Sequence, residues 1–141
     1  MDLSYLATPF FAWLMAGCIK FSINTILSKR LAFDLIGYGG MPSNHSSIVT
    51  SVAAIIAIKE GLQTPAFCVA LALAFIVILD ASSLRQKIGE HARILNKLEE
   101  NTTNIKLRER VGHTKLEILA GVLTGILSAF LVNQFFMTVL L

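Results

Sequence analysis

The sequence predicts an all-α fold: a polytopic membrane helical bundle of about four transmembrane helices, with an amphipathic helix in the third connection. Two observations carry this. Of the 141 residues, 55% are hydrophobic and only 15% are charged, with a mean hydropathy of +0.69; a water-soluble domain carries about 25% charged residues. The apolar residues are also gathered into four stretches separated by polar connections. The length suits one domain, so residues 1–141 read as a single integral membrane domain with the lipid bilayer as solvent.

The first stretch runs from Tyr5 to Leu27 and is interrupted by Lys20, Ser22, Asn24 and Thr25. About 20 residues cross a bilayer, so its length suffices. No basic segment precedes it and no small-residue cleavage site follows, so it reads as a retained helix and not a signal peptide. The second, Ile48 to Ile58, starts from Ser46 and Ser47 and is short for a full crossing. The third runs from Pro65 to Leu79 and stops at Asp80; a proline lacks the N–H that a helix's first turn leaves unpaired anyway. The fourth, Ile118 to Leu141, is the cleanest span. Cys18 and Cys68 sit inside apolar stretches without a CxxC spacing and read as small buried hydrophobes. Phe10, Phe11, Trp13, Phe135 and Phe136 read as lipid-facing or interfacial aromatics.

Residues 28–47 hold Gly37, Gly39, Gly40 and Pro42 and should form an irregular loop; residues 59–64 should form a tight turn. The long connection 80–115 contains a helical pattern over residues 81–100, with Leu84, Ile88, Ala92, Leu95 and Leu98 near one face. That describes an amphipathic helix at the membrane surface or packed on the bundle. Asn101-Thr102-Thr103-Asn104 reads as a break, and His91 as solvated.

Four crossings put both termini on one side and the two long connections on the other. Those connections hold ten of the twelve basic residues: Lys29, Arg30, Arg85, Lys87, Arg93, Lys97, Lys106, Arg108, Arg110 and Lys115. The opposite side has Lys59. This asymmetry predicts cytoplasmic long connections and both termini outside. It also accounts for the net charge of +3 and the pI near 9.1 without a nucleic-acid partner.

All three histidines fall on the basic side. In Gly39-Gly40-Met41-Pro42-Ser43-Asn44-His45-Ser46-Ser47, His45 opens the second helix, where unpaired N–H groups and serine hydroxyls favour an anion. A histidine there can protonate a leaving oxygen; the plainer alternative is a serine N-cap with a surface histidine. Further on, Gly112-His113-Thr114-Lys115-Leu116-Glu117 leads into the last span. His113 and Glu117 are four apart and share a helix face, so the carboxylate can hold one ring nitrogen and free the other as nucleophile or base. The alternative here is a helix-stabilising pair. Both motifs on one side favour a site. Lys20, in an apolar helix, either seeks an anion or snorkels to the interface. Asp80 closes an apolar helix, where it can pair with Lys20 or Arg85.

Gly-Gly-Met-Pro-Ser-Asn-His-Ser, Asp80-Ala81 with Arg85, Leu95-Asn96, and Gly112-His113-Thr114 with Glu117 together resemble the divergent branch of the type 2 phosphatidic acid phosphatase superfamily, also described as acid phosphatase/vanadium-dependent haloperoxidase-related. The similarity covers nearly the whole chain. It implies a histidine nucleophile at His113, an orienting acid at Glu117 in place of the usual aspartate, a general acid at His45 and a phosphate-binding hydroxyl at Ser43. Lys20, Arg85 and Arg110 are the further phosphate candidates, with Asp80, Gly40 and Gly112 in support. The superfamily's Lys/Arg-Pro motif and its Ser-Arg before the nucleophile are absent here, and Lys20 stands in as the nearest lysine.

The implied function is metal-independent and cofactor-free hydrolysis of a phosphomonoester or diphosphate on a membrane lipid. The partners are a lipid phosphate and the bilayer, with a homo-oligomer also possible. Two other classes remain open: a non-catalytic lipid-phosphate binder or carrier, and a structural membrane subunit.

Overall fold

The computed structural model describes residues 2–31, 40–98, 106–109 and 111–139. Five helices follow in order: α1 (Ser4–Ser28), α2 (Asn44–Glu60), α3 (Pro65–Ser82), α4 (Leu84–Leu98) and α5 (Lys115–Val139). Among the described residues, three helical runs are long and apolar enough to cross a membrane: Ser4–Ser28, Pro65–Leu98 and Lys115–Val139. The second joins α3 to α4, and its apolar part is α3. The 17 residues of α2 rise about 25 Å, somewhat less than a hydrocarbon core of about 30 Å.

Helix α2 occupies the centre and packs on α1, α3 and α5. Its far end is pinned by an ion pair between Lys59 and Asp2, with the ammonium 5.4 Å from the centre of the Tyr5 ring. Its other end meets the start of α5, where the Ser43 N–H donates to the Glu117 carbonyl at 2.9 Å. The end of α3 arrives there too, since the His113 N–H donates to the Ala81 carbonyl at 3.0 Å. Hence α2 runs antiparallel to α1 along the bundle. Both long connections emerge at one end, while the start of α1 and the finish of α5 lie at the other.

The packing is inside-out relative to a water-soluble protein. Ser46, Ser47, Ser51, Ser128 and Thr8 are fully buried, while Phe10, Trp13, Val69, Phe75 and Phe135 are more than half exposed. The apolar surface faces outward because lipid is its solvent, and small residues inside let helices approach closely. Gly121 and Gly125 show how closely: a Cβ on either would stand 2.6 Å from the Ser43 carbonyl oxygen or 2.5 Å from that of Ser47. The Ser47 hydroxyl donates across this seam to the Gly121 carbonyl at 3.0 Å. On α1 the buried positions Ser4, Thr8, Ala12, Ala16 and Lys20 recur every four residues.

The same logic corrects one expectation. Cys18 and Cys68 are exposed on the outer faces of α1 and α3, because in a bilayer a small apolar side chain has no need of the interior. Phe10, Phe11, Trp13 and Phe135 are exposed as expected. The Asn101–Asn104 segment, Gly37, Gly39 and Arg110 lie outside the described residues.

Candidate functional site

The site forms where three helix ends meet. The Thr64 hydroxyl caps α3 at the far end, accepting from the Phe67 N–H at 3.2 Å; Ser43 does the same for α2, its hydroxyl accepting from the Ser46 N–H at 3.4 Å. Such a cap contributes about 1 kcal/mol. At the start of α5, the Thr114 N–H donates to Glu117 Oε2 at 2.9 Å and the Glu117 N–H donates to the Thr114 hydroxyl at 3.3 Å. This reciprocal pair is a capping box. It fixes the Glu117 carboxylate beside the imidazole preceding the helix, with His113 Nδ1 3.2 Å from the same Oε2. With its proton on Nδ1, His113 donates to the carboxylate and leaves the Nε2 lone pair free.

The backbone of His113 is held as firmly as its ring. Its N–H is tied to Ala81, and its carbonyl accepts from the Gln86 side-chain amide at 2.9 Å. Gly112 makes this possible: its φ is +91°, and a Cβ would stand 2.9 Å from the Gln86 backbone nitrogen. Gly40 adopts a φ of +139° before the turn into α2.

His45, in the first turn of α2, faces His113 with ring centroids 6.2 Å apart and planes tilted by 56°. Its Nδ1 is buried without a hydrogen-bond partner among the described residues. Lys20 is buried in the bundle at 8% exposure. Its charge acts on both imidazoles and interacts with Glu117 and Arg108. Arg85 likewise acts on both rings, while its Nε donates to Asp80 Oδ2 at 2.7 Å. Asp80 therefore pairs with Arg85. Burial lowers the His113 pKa below the ordinary 6.5, and the Glu117 hydrogen bond and charge oppose that shift.

The structure thus gathers His45, His113, Glu117, Lys20, Arg85 and Asp80 at one end of the bundle. Ser43 is in the cluster but fully buried as the α2 cap, its hydroxyl also accepting from the Ser46 hydroxyl at 3.0 Å. His91 is exposed on α4. Thr114, Gln86 and Arg108 escaped the sequence reading as site residues. Thr114-x-x-Glu117 ahead of an apolar run was a legible capping signal, whereas nothing in the spacing marks Gln86. An open cavity of about 520 Å³ adjoins His113 and Glu117 from the α4 side, bordered also by Glu90, Arg93 and Glu109. Among the described residues, no three His, Cys, Asp or Glu side chains come together as a metal-ligand group.

Residues 1–128 match the family described as the Divergent PAP2 family. The uncharacterized membrane protein YuiD of Bacillus subtilis (strain 168) is 35% identical over 144 residues, covering 89% of this chain and 91% of its own. No solved structure matches significantly.

Proposed function

The chain belongs to the Divergent PAP2 family, and on that footing we propose that it hydrolyses a phosphate ester carried by a membrane lipid. The observation behind this is the facing histidine pair, 6.2 Å between ring centres, with Glu117 behind one ring. His113 Nε2 attacks phosphorus, the P–N bond forms, and the P–O bond to the lipid alcohol breaks. His45 gives its proton to the departing oxygen. Water, deprotonated by His45, then opens the phosphohistidine and releases inorganic phosphate. Lys20 and Arg85 neutralise the phosphoryl oxygens. Ser43 keeps the start of α2 aimed at the site, and Arg110 is a further candidate cation. Phosphate release from a panel of lipid phosphates, with wild type beside His113→Ala, tests the proposal. Binding without release would favour the non-catalytic carrier reading.

The pH profile follows from the lowered His113 pKa. The nucleophile must be neutral, so kcat/KM falls as pH drops through its pKa. Since burial places that value below 6.5, the acid limb lies on the acid side of an ordinary histidine's. Glu117→Gln removes a charge that raises the pKa, so the limb moves further down. An acid limb that moves up in Glu117→Gln would contradict this arrangement.

We further propose that the bundle crosses the membrane four times, α2 included, with the site end in the cytoplasm, on the strength of the basic asymmetry. Single cysteines replacing Arg93 or Lys106 should then resist impermeant thiol reagents in intact cells and react once the membrane is opened. Reaction at position 93 from outside would reverse the orientation.

A further inference from the structure

Helix α4 presents three different sectors. One is covered by the chain that leads to His113. A Cβ on Gly89 would stand 2.4 Å from the Glu109 carbonyl oxygen. Asn96 holds both backbone groups of Leu107: its Oδ1 accepts from the Leu107 N–H at 2.8 Å and its Nδ2 donates to the Leu107 carbonyl at 2.9 Å. A second sector, with Glu90 and Arg93, borders the open cavity. The third carries Leu84, Ile88, Leu95 and Leu98, which are 59%, 48%, 46% and 74% exposed, with the exposed His91 between Ile88 and Leu95 on the same face.

Two features bear on what covers that third sector. Helix α4 follows α3 directly, after a break at Ser83, and α3 is the apolar part of a stretch long enough to cross a membrane. The apolar sector of α4 therefore begins where α3 leaves the hydrocarbon. Its charges also have one dominant sign, with Arg85, Lys87, Arg93 and Lys97 against Glu90. A basic amphipathic helix starting at the hydrocarbon boundary suits the interface of a leaflet containing acidic phospholipids. We propose that α4 lies in the headgroup region of the bilayer that the bundle crosses, with Leu84, Ile88, Leu95 and Leu98 seated among the upper acyl chains. Through the Asn96 clamp and the Gly89 contact, α4 then fixes the depth of His113 at the level of lipid headgroups. The proposal does not rest on the hydrolytic reading.

The test uses the full chain with Cys18→Ala and Cys68→Ala, reconstituted in phosphatidylcholine vesicles with and without phosphatidylglycerol. A fluorophore is attached at Leu95→Cys, or at Leu98→Cys should the first variant fold poorly, and at Arg93→Cys for comparison. Position 95 or 98 should be quenched by shallow spin-labelled lipids and be several-fold less quenched by aqueous iodide than position 93. Phosphatidylglycerol should widen that difference, and Lys87→Gln with Lys97→Gln should narrow it. Equal iodide quenching at 93, 95 and 98 would place the stripe in water and overturn the proposal. So would protection from both quenchers with cross-linking between chains, which would make a second copy the occupant.

Discussion

His113→Ala is expected to release no phosphate from any lipid phosphate that wild type hydrolyses. The loss should exceed the roughly 10⁴-fold limit for removing a general acid, because no covalent intermediate can form. The variant should still fold. The bonds that place residue 113 use its backbone, to Ala81 and Gln86, and a truncated side chain leaves both intact. Glu117 keeps its bond from the Thr114 N–H. Lys20 and Arg85 remain, so the variant should still bind a lipid phosphate or inorganic phosphate. Activity measured beside phosphate binding and detergent-solution melting separates the cases. Undiminished turnover in a folded His113→Ala protein would remove the histidine from the reaction.

The long elements were legible because lipid solvation writes them as apolar runs. The expected span from Tyr5 to Leu27 became Ser4–Ser28, and the one starting at Pro65 kept its start. Helix α2 was read as an apolar run from Ile48 to Ile58 starting from Ser46 and Ser47, and it extends over Asn44–Glu60. Its first turns carry Ser46, Ser47 and Ser51, which look like loop residues yet face the close seam with Gly121 and Gly125. The break between α3 and α4 was expected at Asp80, where the apolar run gives way to the amphipathic pattern over residues 81–100. It falls at Ser83, where the Ser82 and Ser83 hydroxyls both donate to the Leu79 carbonyl, at 3.1 and 2.6 Å. Local bonds of this kind compete with the helical ladder without any proline or glycine to announce them.

Within the candidate site, the His113–Glu117 pair was readable from spacing, whereas Lys20 entered only as a stand-in through the resemblance. His113 and Glu117 meet because they are four apart on the way into a helix. That Lys20 reaches the same place depends on α1 lying antiparallel to α2 and α5, which no local pattern encodes. Its side chain is buried there, at 8% exposure. Asn96, singled out only through its resemblance, proves to hold the segment that carries His113.

The second large effect belongs to His45, and its size should depend on the leaving group. An alkoxide leaving from a lipid alcohol is strongly basic and needs a proton as the P–O bond breaks, so His45→Ala should lose roughly 10²- to 10⁴-fold in kcat/KM on lipid monophosphates. An aryl phosphate expels a weakly basic phenoxide that leaves without help, and the first step should be nearly normal on it. The second step still lacks the base that activates water. His45→Ala should therefore release about one equivalent of phenol per site in a rapid burst and then turn over slowly, with phosphohistidine accumulating at His113. Wild type should show no such accumulation. Equal losses on both substrates, without a burst, would mean that His45 binds the phosphate and does not move its proton.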